Sequence, residues 1–486
     1  MKKISIMLLF ALLIGLFISC GGNEAKSDIP NGTNNDETET EAKKVIDIEY
    51  IDLEGYEIRF VVRGEGSGNF QCIDLYSESM NGDKINDAVY ERNSYLEEMY
   101  NFKIKMTGVA VNVASIADSP ATVAKTSILS QEDLFDVVYD SFHQTNSLLQ
   151  EKMLVDLYTL PYINFSKPYW DADVNADLSI NNKLYTTHGE HMLSVSAGLY
   201  CTFFNKEMAE DLNLEDLYNI VRNNKWTMEK YYSLAKDVSY DIDGNGALDF
   251  DDAWGLVTES FNALTFFAGS GEKITTKDNN DLPILSMNTS RAESVLTLSN
   301  EFLTDKNTTI LFDNFGSDKW PLLTKIWEDG RALFFLGPLM QTPTFRSMDT
   351  DFGILPAPKY EESQSRYYHI VSIWNASLLV VPVTITEPEK IGYILELLAA
   401  KSVDTLTPAF YDVQLTNKFI RDNESKEMID IILASASFDL GSAYNFGGLF
   451  NAVLNIGAKT AKFASTYASA ESSAQAAIEK FIEAVS

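Results

Sequence analysis

The sequence predicts an α/β protein of two lobes, each a mainly parallel sheet flanked by helices. Three observations carry that reading. Strand and helix patterns alternate from Tyr56 to Tyr139. A second α/β stretch runs from Thr227 to the C-terminus. The chain beyond Cys20 is too long for one hydrophobic core and suits two. Hydrophobic residues at 45% and aromatics at 12% are enough to fill them. No repeat of solenoid length is visible.

The elements follow in order. Tyr56 to Val62 is a strand signal, and Ile85, Val89, Leu96 and Met99 recur at helical spacing. Phe102-Lys103-Ile104-Lys105-Met106 alternates as a half-buried strand does. Residues 121–130 predict a helix, and Phe135 to Tyr139 a short buried strand. Strands joined through helices imply right-handed crossovers and parallel pairing. Thr227 is placed to cap a helix over Tyr231, Leu234 and Val238. Leu333 to Gly337 and Leu378 to Val381 read as buried strands. Thr386-Glu387-Pro388-Glu389 has the form of a capping box opening a helix through Ile391, Ile394, Leu395 and Leu398. A terminal amphipathic helix carries Ile478, Phe481 and Ile482.

The N-terminus reads as a targeting segment. Lys2 and Lys3 precede an apolar run, Ile4 to Ile18, and Ser19-Cys20-Gly21-Gly22 follows. A cysteine at the cut resembles the bacterial lipoprotein signal, which implies removal of residues 1–19 and lipidation (palmitate among the acyl groups) of Cys20. Residues 20–52 then form a tether; Asn31 to Glu41 has no apolar side chain and cannot bury enough surface to order itself. The formal charge of −32 repels phosphate backbones and excludes nucleic acid as a partner. Nothing after the signal is apolar for long enough to span a bilayer. Cys72 and Cys201 remain; they could pair, but two free thiols are favoured. His188 and His191 sit in a Gly-containing loop and make no zinc-type spacing.

One motif has a sharp mechanism. Asp241-Ile242-Asp243-Gly244-Asn245-Gly246-Ala247-Leu248-Asp249-Phe250-Asp251-Asp252 follows the calcium loop of an EF-hand. Ca2+ takes six to eight oxygen ligands, and alternate positions supply them. Asp241, Asp243 and Asn245 would give side-chain oxygens, Ala247 its carbonyl, and Asp249 a direct or water-mediated contact. Asp252 stands where glutamate is usual, and its shorter arm implies weaker binding. The expected role is a structural clip.

Several segments together resemble the extracellular solute-binding proteins of ABC importers, family 1, the carbohydrate-binding type. They are Leu134-Phe135-Asp136-Val137-Val138; Cys201-Thr202-Phe203-Phe204-Asn205-Lys206-Glu207; Trp327-Glu328-Asp329-Gly330-Arg331-Ala332-Leu333 with Gly337-Pro338; and Phe352-Gly353-Ile354-Leu355-Pro356-Ala357-Pro358. The resemblance implies a periplasmic-binding-protein-like fold of type II. Lobe 1 would comprise 53–196 plus 374–404, and lobe 2 197–373 plus 405–486. A ligand would sit at the hinge and be buried by closure. It also implies a monomeric, non-enzymatic protein on the extracellular side of the cell membrane, or on the periplasmic side where two membranes are present, delivering a sugar to ABC transporter permease subunits. A non-sugar solute, such as a peptide, and a solute-sensing receptor are the alternatives.

A sugar site needs aromatic plates for C–H faces and planar polar groups for hydroxyls, placed at the C-terminal ends of strands. Candidates are Tyr139 and Phe142 after a predicted strand, Glu190 before the first crossing, Trp374 and Asn375 before another strand, and the late aromatic Tyr444. Where maltodextrin binders carry an aromatic after Gly-Pro, this chain has Leu339 and Met340.

Overall fold

A computed structural model describes residues 49–111, 118–315, 320–345, 348–415 and 423–485. The targeting segment, Cys20 and most of the tether lie outside the described residues. No helix among the described residues is long and apolar enough to cross a membrane.

The first sheet begins with β1 (Tyr56–Arg63), followed by β2 (Phe102–Val109) and β3 (Val137–Ser141). β1 pairs in parallel with β2 from Tyr56↔Phe102, and with β3 from Phe60↔Val137. The helix Lys84–Tyr100 connects β1 to β2 and buries Ile85, Val89 and Leu96, the face its spacing predicts. Asp83 caps it by accepting the Asn86 amide, and Ser119 does the same for the helix Pro120–Leu129.

The second sheet holds β4 (Tyr200–Asn205) and β5 (Trp254–Thr258). A small hairpin, β6 (Thr275–Lys277) and β7 (Pro283–Leu285), stands apart from it. β8 (Thr309–Leu311), β9 (Ala332–Pro338) and β10 (Phe352–Leu355) complete the order β10-β4-β9-β5-β8. Its packed face gathers Phe203, Trp327, Phe335, Phe345 and Phe352, ring against ring. The short strands β11 (His369–Ile370) and β13 (Ala436–Ser437) pair in parallel, and β12 (Ser377–Val380) returns to the first sheet beside β3.

The first sheet is mainly parallel, as the sequence predicts, with one antiparallel edge, while the second divides evenly between parallel and antiparallel pairs. β12 runs antiparallel to β3, and β4 runs antiparallel to both β9 and β10. The cause is the route of the chain. β4 and β12 each enter their sheet from the other lobe, so each arrives opposite to the strands joined by local crossovers. The two crossing segments lie side by side, bridged antiparallel at Leu199↔Val371. Ser194 ties them again, its hydroxyl donating to the Ser377 carbonyl and accepting the Ser377 amide at 3.0 Å.

Three local expectations change. The helix capped by Thr227 ends at Ala235, leaving Val238 beyond it. The helix Pro388–Ser402 has Glu387 at its N-cap with no side-chain cap, because the Thr386 hydroxyl donates instead to Asp133 at 2.9 Å. The helix Leu406–Leu415 belongs by sequence to lobe 2, yet Leu406 and Phe410 pack with Ile85, Ala88 and Val89 of the first lobe. Cys72 and Cys201 are free thiols.

Candidate functional site: the cleft between the two sheets

The C-terminal ends of the parallel strands β5, β8 and β9 open onto a cleft of about 750 Å3. Glu259, Ser260 and Phe261 follow β5, Phe312 and Asp313 follow β8, and Pro338 closes β9. Tyr200 stands at the start of β4. From the other lobe come Phe70, beyond β1, and Trp374 with Asn375, just before β12. Open α/β sheets place ligands at this edge because several strand ends and their loops converge there.

The cleft combines aromatic faces with hydrogen-bonding groups. Tyr200 and Phe261 lie 4.7 Å apart between centroids, tilted by 33°. Trp374, in the same lining, is 36% exposed, and its ring lies 3.9 Å from that of His143, tilted by 39°. The Tyr200 hydroxyl donates to Glu259 Oε1 at 2.9 Å. Loss of water around Glu259 pushes its carboxyl up to about 7; the Tyr200 hydrogen bond opposes that rise, and the charge of Asp313 adds to it. Asp313 also accepts the Ser260 amide, which fixes the loop after β5 against the loop after β8.

Arg63 and Asp140 hold the Trp374 wall in place. Arg63 Nε donates to Asp140 Oδ1 at 3.0 Å, and its other nitrogens donate to the carbonyls of Trp374 (3.0 Å) and Asn375 (3.3 Å). Both partners are almost fully buried.

The sequence-predicted residues divide. Trp374 and Asn375 line the cleft. Tyr139 is 1% exposed, edge-on to Phe60, and lines an adjoining chamber of about 330 Å3. Phe142 and Tyr444 meet each other at 5.3 Å across the lobe boundary, with Phe438 against Phe142 and Phe481 against Tyr444. As placed, Phe142 is fully buried in this contact and Tyr444 half-buried beside it. Glu190 lines a different pocket, of about 470 Å3, where it accepts the Thr407 hydroxyl, and desolvation raises its pKa. Tyr200, Glu259, Phe261 and Asp313 escaped sequence reasoning. Their signal was present: Glu259 and Phe261 directly follow the strand begun by Trp254-Gly255-Leu256, and Asp313 directly follows Ile310-Leu311-Phe312. Leu339, which stands where an aromatic was looked for, is fully buried, while Met340 forms part of the wall.

The acidic loop is ordered around its own carboxylates. One oxygen each of Asp241, Asp243 and Asp252 lies within 4.8 Å of the others. Asp252 is buried and accepts the amides of Ile242 and Asp249, both at 2.8 Å. Asp241 accepts those of Gly244 and Gly246, which holds its pKa below the usual carboxylate range. Gly244 and Gly246 take φ of +75° and +85°, values open to glycine without strain. Asn245 donates its side-chain amide to Asp243 and Asp249, while its Oδ1 accepts the Ala247 amide. The residues therefore fit a hard cation, with Asn245 needing to turn its oxygen inward.

No family model matches the sequence, and no curated protein matches it. Solved structures do. The chain is similar to an ABC substrate-binding protein from Listeria monocytogenes in complex with cycloalternan, at 13% identity over 88% of this chain and 98% of that one, TM-score 0.53. It is similar to the maltose/maltodextrin-binding domain MalE from Bdellovibrio bacteriovorus bound to maltotriose, at 14% identity over 88% and 100%, TM-score 0.52. A cyclo/maltodextrin-binding protein complexed with maltotetraose gives 11% identity over 89% and 98%, TM-score 0.54. The fold is thus the two-lobed α/β fold of these sugar-binding substrate-binding proteins.

Proposed function

We propose that this chain is an extracellular solute-binding protein, held on the outer side of the cell membrane by a lipid on Cys20, that captures a sugar or oligosaccharide and delivers it to the permease subunits of an ABC importer. The observation that carries this reading is the cleft itself. It gathers the partly exposed Trp374 with Tyr200 and Phe261 in one lining, together with Glu259, Asp313 and Asn375. Aromatic faces take the C–H side of a pyranose, and carboxylates and amides take its hydroxyls. The three solved structures named above are complexes with carbohydrates by their own titles, which supports the same ligand class. On this reading the protein works as a monomer, breaks no bond of its ligand, and buries it by closing one lobe on the other about the paired crossing segments.

A thermal-shift screen of residues 45–486 against mono- and oligosaccharides, amino acids and peptides tests it, with calcium held constant. A ligand that binds only the folded state raises the melting temperature by mass action. A carbohydrate hit supports the reading. A peptide or amino-acid hit overturns the substrate class. We further propose that the loop 241–252 binds Ca2+ as a structural clip, through Asp241, Asp243, Asn245, the Ala247 carbonyl, Asp249 and Asp252.

A further inference from the structure

The lining of the cleft is negatively charged and, among the described residues, holds no positive charge. Glu259 and Asp313 belong to it, and no described lysine, arginine or histidine does. Glu259 is half-buried, and its one hydrogen-bond partner among the described residues is the Tyr200 hydroxyl, on Oε1. Asp313 accepts the amide of Ser260, the residue after Glu259. The two carboxylates act on each other: desolvation raises the Glu259 carboxyl to about 7, and the charge of Asp313 adds to the rise. Buried carboxylates elsewhere in the fold are matched by several donors. Asp140 takes Arg63 and the amides of Ala121 and Ser141; Asp439 takes the amides of Ile274, Thr275 and Gly441. Glu259 departs from that pattern. Arg63, 5.9 Å from the Phe70 ring, is already paired with Asp140.

We infer that the cleft selects a sugar bearing a protonated amine, whose ammonium pairs with Glu259 and Asp313. The inference rests on the sugar reading above and narrows it. Closing the lobes on a neutral sugar removes water from both carboxylates and gives them no opposite charge, which is costly. Sugar hydroxyls donate to a carboxylate but leave its charge uncompensated. An ammonium has three donors and supplies the missing charge. It is also attracted to aromatic rings, and Phe70, Phe261 and Trp374 share the lining with the two carboxylates. An acidic sugar would add a third negative charge and is excluded. The net charge of −32 on the chain opposes its approach as well.

The test is calorimetric titration of the full-length protein with matched sugars of different charge. Glucosamine, glucose and glucuronic acid form one set, galactosamine, galactose and galacturonic acid a second, and the β-1,4 dimers of glucosamine and glucose a third. The expected result is a preference of about tenfold or more for the amine over its neutral partner, with the acids bound least. Glu259→Gln should bring that ratio toward one. A second readout needs no variant. At pH 6 Glu259 is mainly protonated in the free cleft, and an ammonium beside it should expel that proton to the buffer. Titrations in two buffers of different ionisation enthalpy should count about one proton released per amine sugar bound and none per neutral sugar. The other titratable groups around the cleft are Asp313 and Tyr200, whose pKa burial raises well above its ordinary value. Against Trp374 stand His143, which burial holds below its ordinary value, and the Arg63–Asp140 pair. Loss of the released proton in Glu259→Gln assigns it to Glu259. An amine bound no more tightly than its neutral partner, an acid bound most tightly, or amine binding without proton release overturns the charge selection and leaves the sugar reading standing. Failure of every sugar in a broad panel, amines included, overturns both.

Discussion

Arg63 joins two strand ends and one loop. Its ion pair with Asp140 is almost fully buried, and the rest of the guanidinium is bonded to the Trp374 and Asn375 carbonyls. Breaking a buried pair from one side leaves the other charge uncompensated, at a cost of about 3–5 kcal/mol. Arg63→Ala should lower the urea midpoint by a corresponding amount; a loss under about 1 kcal/mol would show that Asp140 finds another partner. Glu259 gives a pH signature. Its folded pKa of about 7 is raised above the ordinary carboxylate value, because the charged form is poorly solvated there. The stability tied to this group is therefore full at acid pH and is lost as pH climbs toward and through 7. Glu259→Gln should flatten that loss in melts run from pH 5 to 8. A variant whose melting temperature falls as steeply as the parent's would assign the slope to other groups.

Elements show where charge and backbone are matched. The buried Glu396, on the helix Pro388–Ser402, accepts from the Asn164 amide, the Tyr169 hydroxyl and Trp170 Nε1, and so anchors the segment 164–170 to that helix. Glu396→Leu strands these donors and should cost about 2–4 kcal/mol in chemical unfolding; a neutral result would mean that water replaces the carboxylate. On the same helix Gly392 passes so close to the segment that a Cβ would stand 2.1 Å from the Pro161 carbonyl oxygen. In the acidic loop, Ca2+ should raise the melting temperature and a chelator reverse it. Asp252→Asn should reduce that rise, and should destabilise even in chelator, because Asp252 holds the amides of Ile242 and Asp249. An unchanged melt with and without chelator removes the metal. These elements also mark how far the sequence could be read. Local periodicity sufficed for the helix Lys84–Tyr100, whose buried face repeats at the expected spacing, and for the start of β2, where Phe102 and Ile104 are buried; Met106, next in that alternation, is exposed. It could not reveal that Thr386 would bond to Asp133 rather than cap its own helix, since that partner lies on a distant loop. Trp374 was legible as an aromatic ahead of a strand. Phe142, read as an aromatic after a strand, and Tyr444, read as a late aromatic, instead meet each other, because a lobe contact and a ligand plate demand the same kind of side chain.

At the scale of the whole molecule, the lobes are bound together by segments that leave one sheet and end in the other. That arrangement suits closure about the bridge at Leu199↔Val371, and small-angle scattering should show a smaller radius of gyration once a saturating ligand is found; an unchanged radius would argue for binding without closure. The same arrangement has a consequence during synthesis. β3 pairs with β12, yet β4, β5 and β8 to β10 all lie between them in the chain. A nascent chain that has emerged only as far as β10 holds every strand of the second sheet while the first still lacks an edge. Chains stopped at residue 370 should accordingly fail to give a cooperative transition for the first lobe. Pairing across so long a separation is entropically late, and until it happens β3 keeps a bare edge open to other chains. Aggregation during refolding should thus begin at Val137–Ser141, and a synthetic peptide spanning β12 should suppress it.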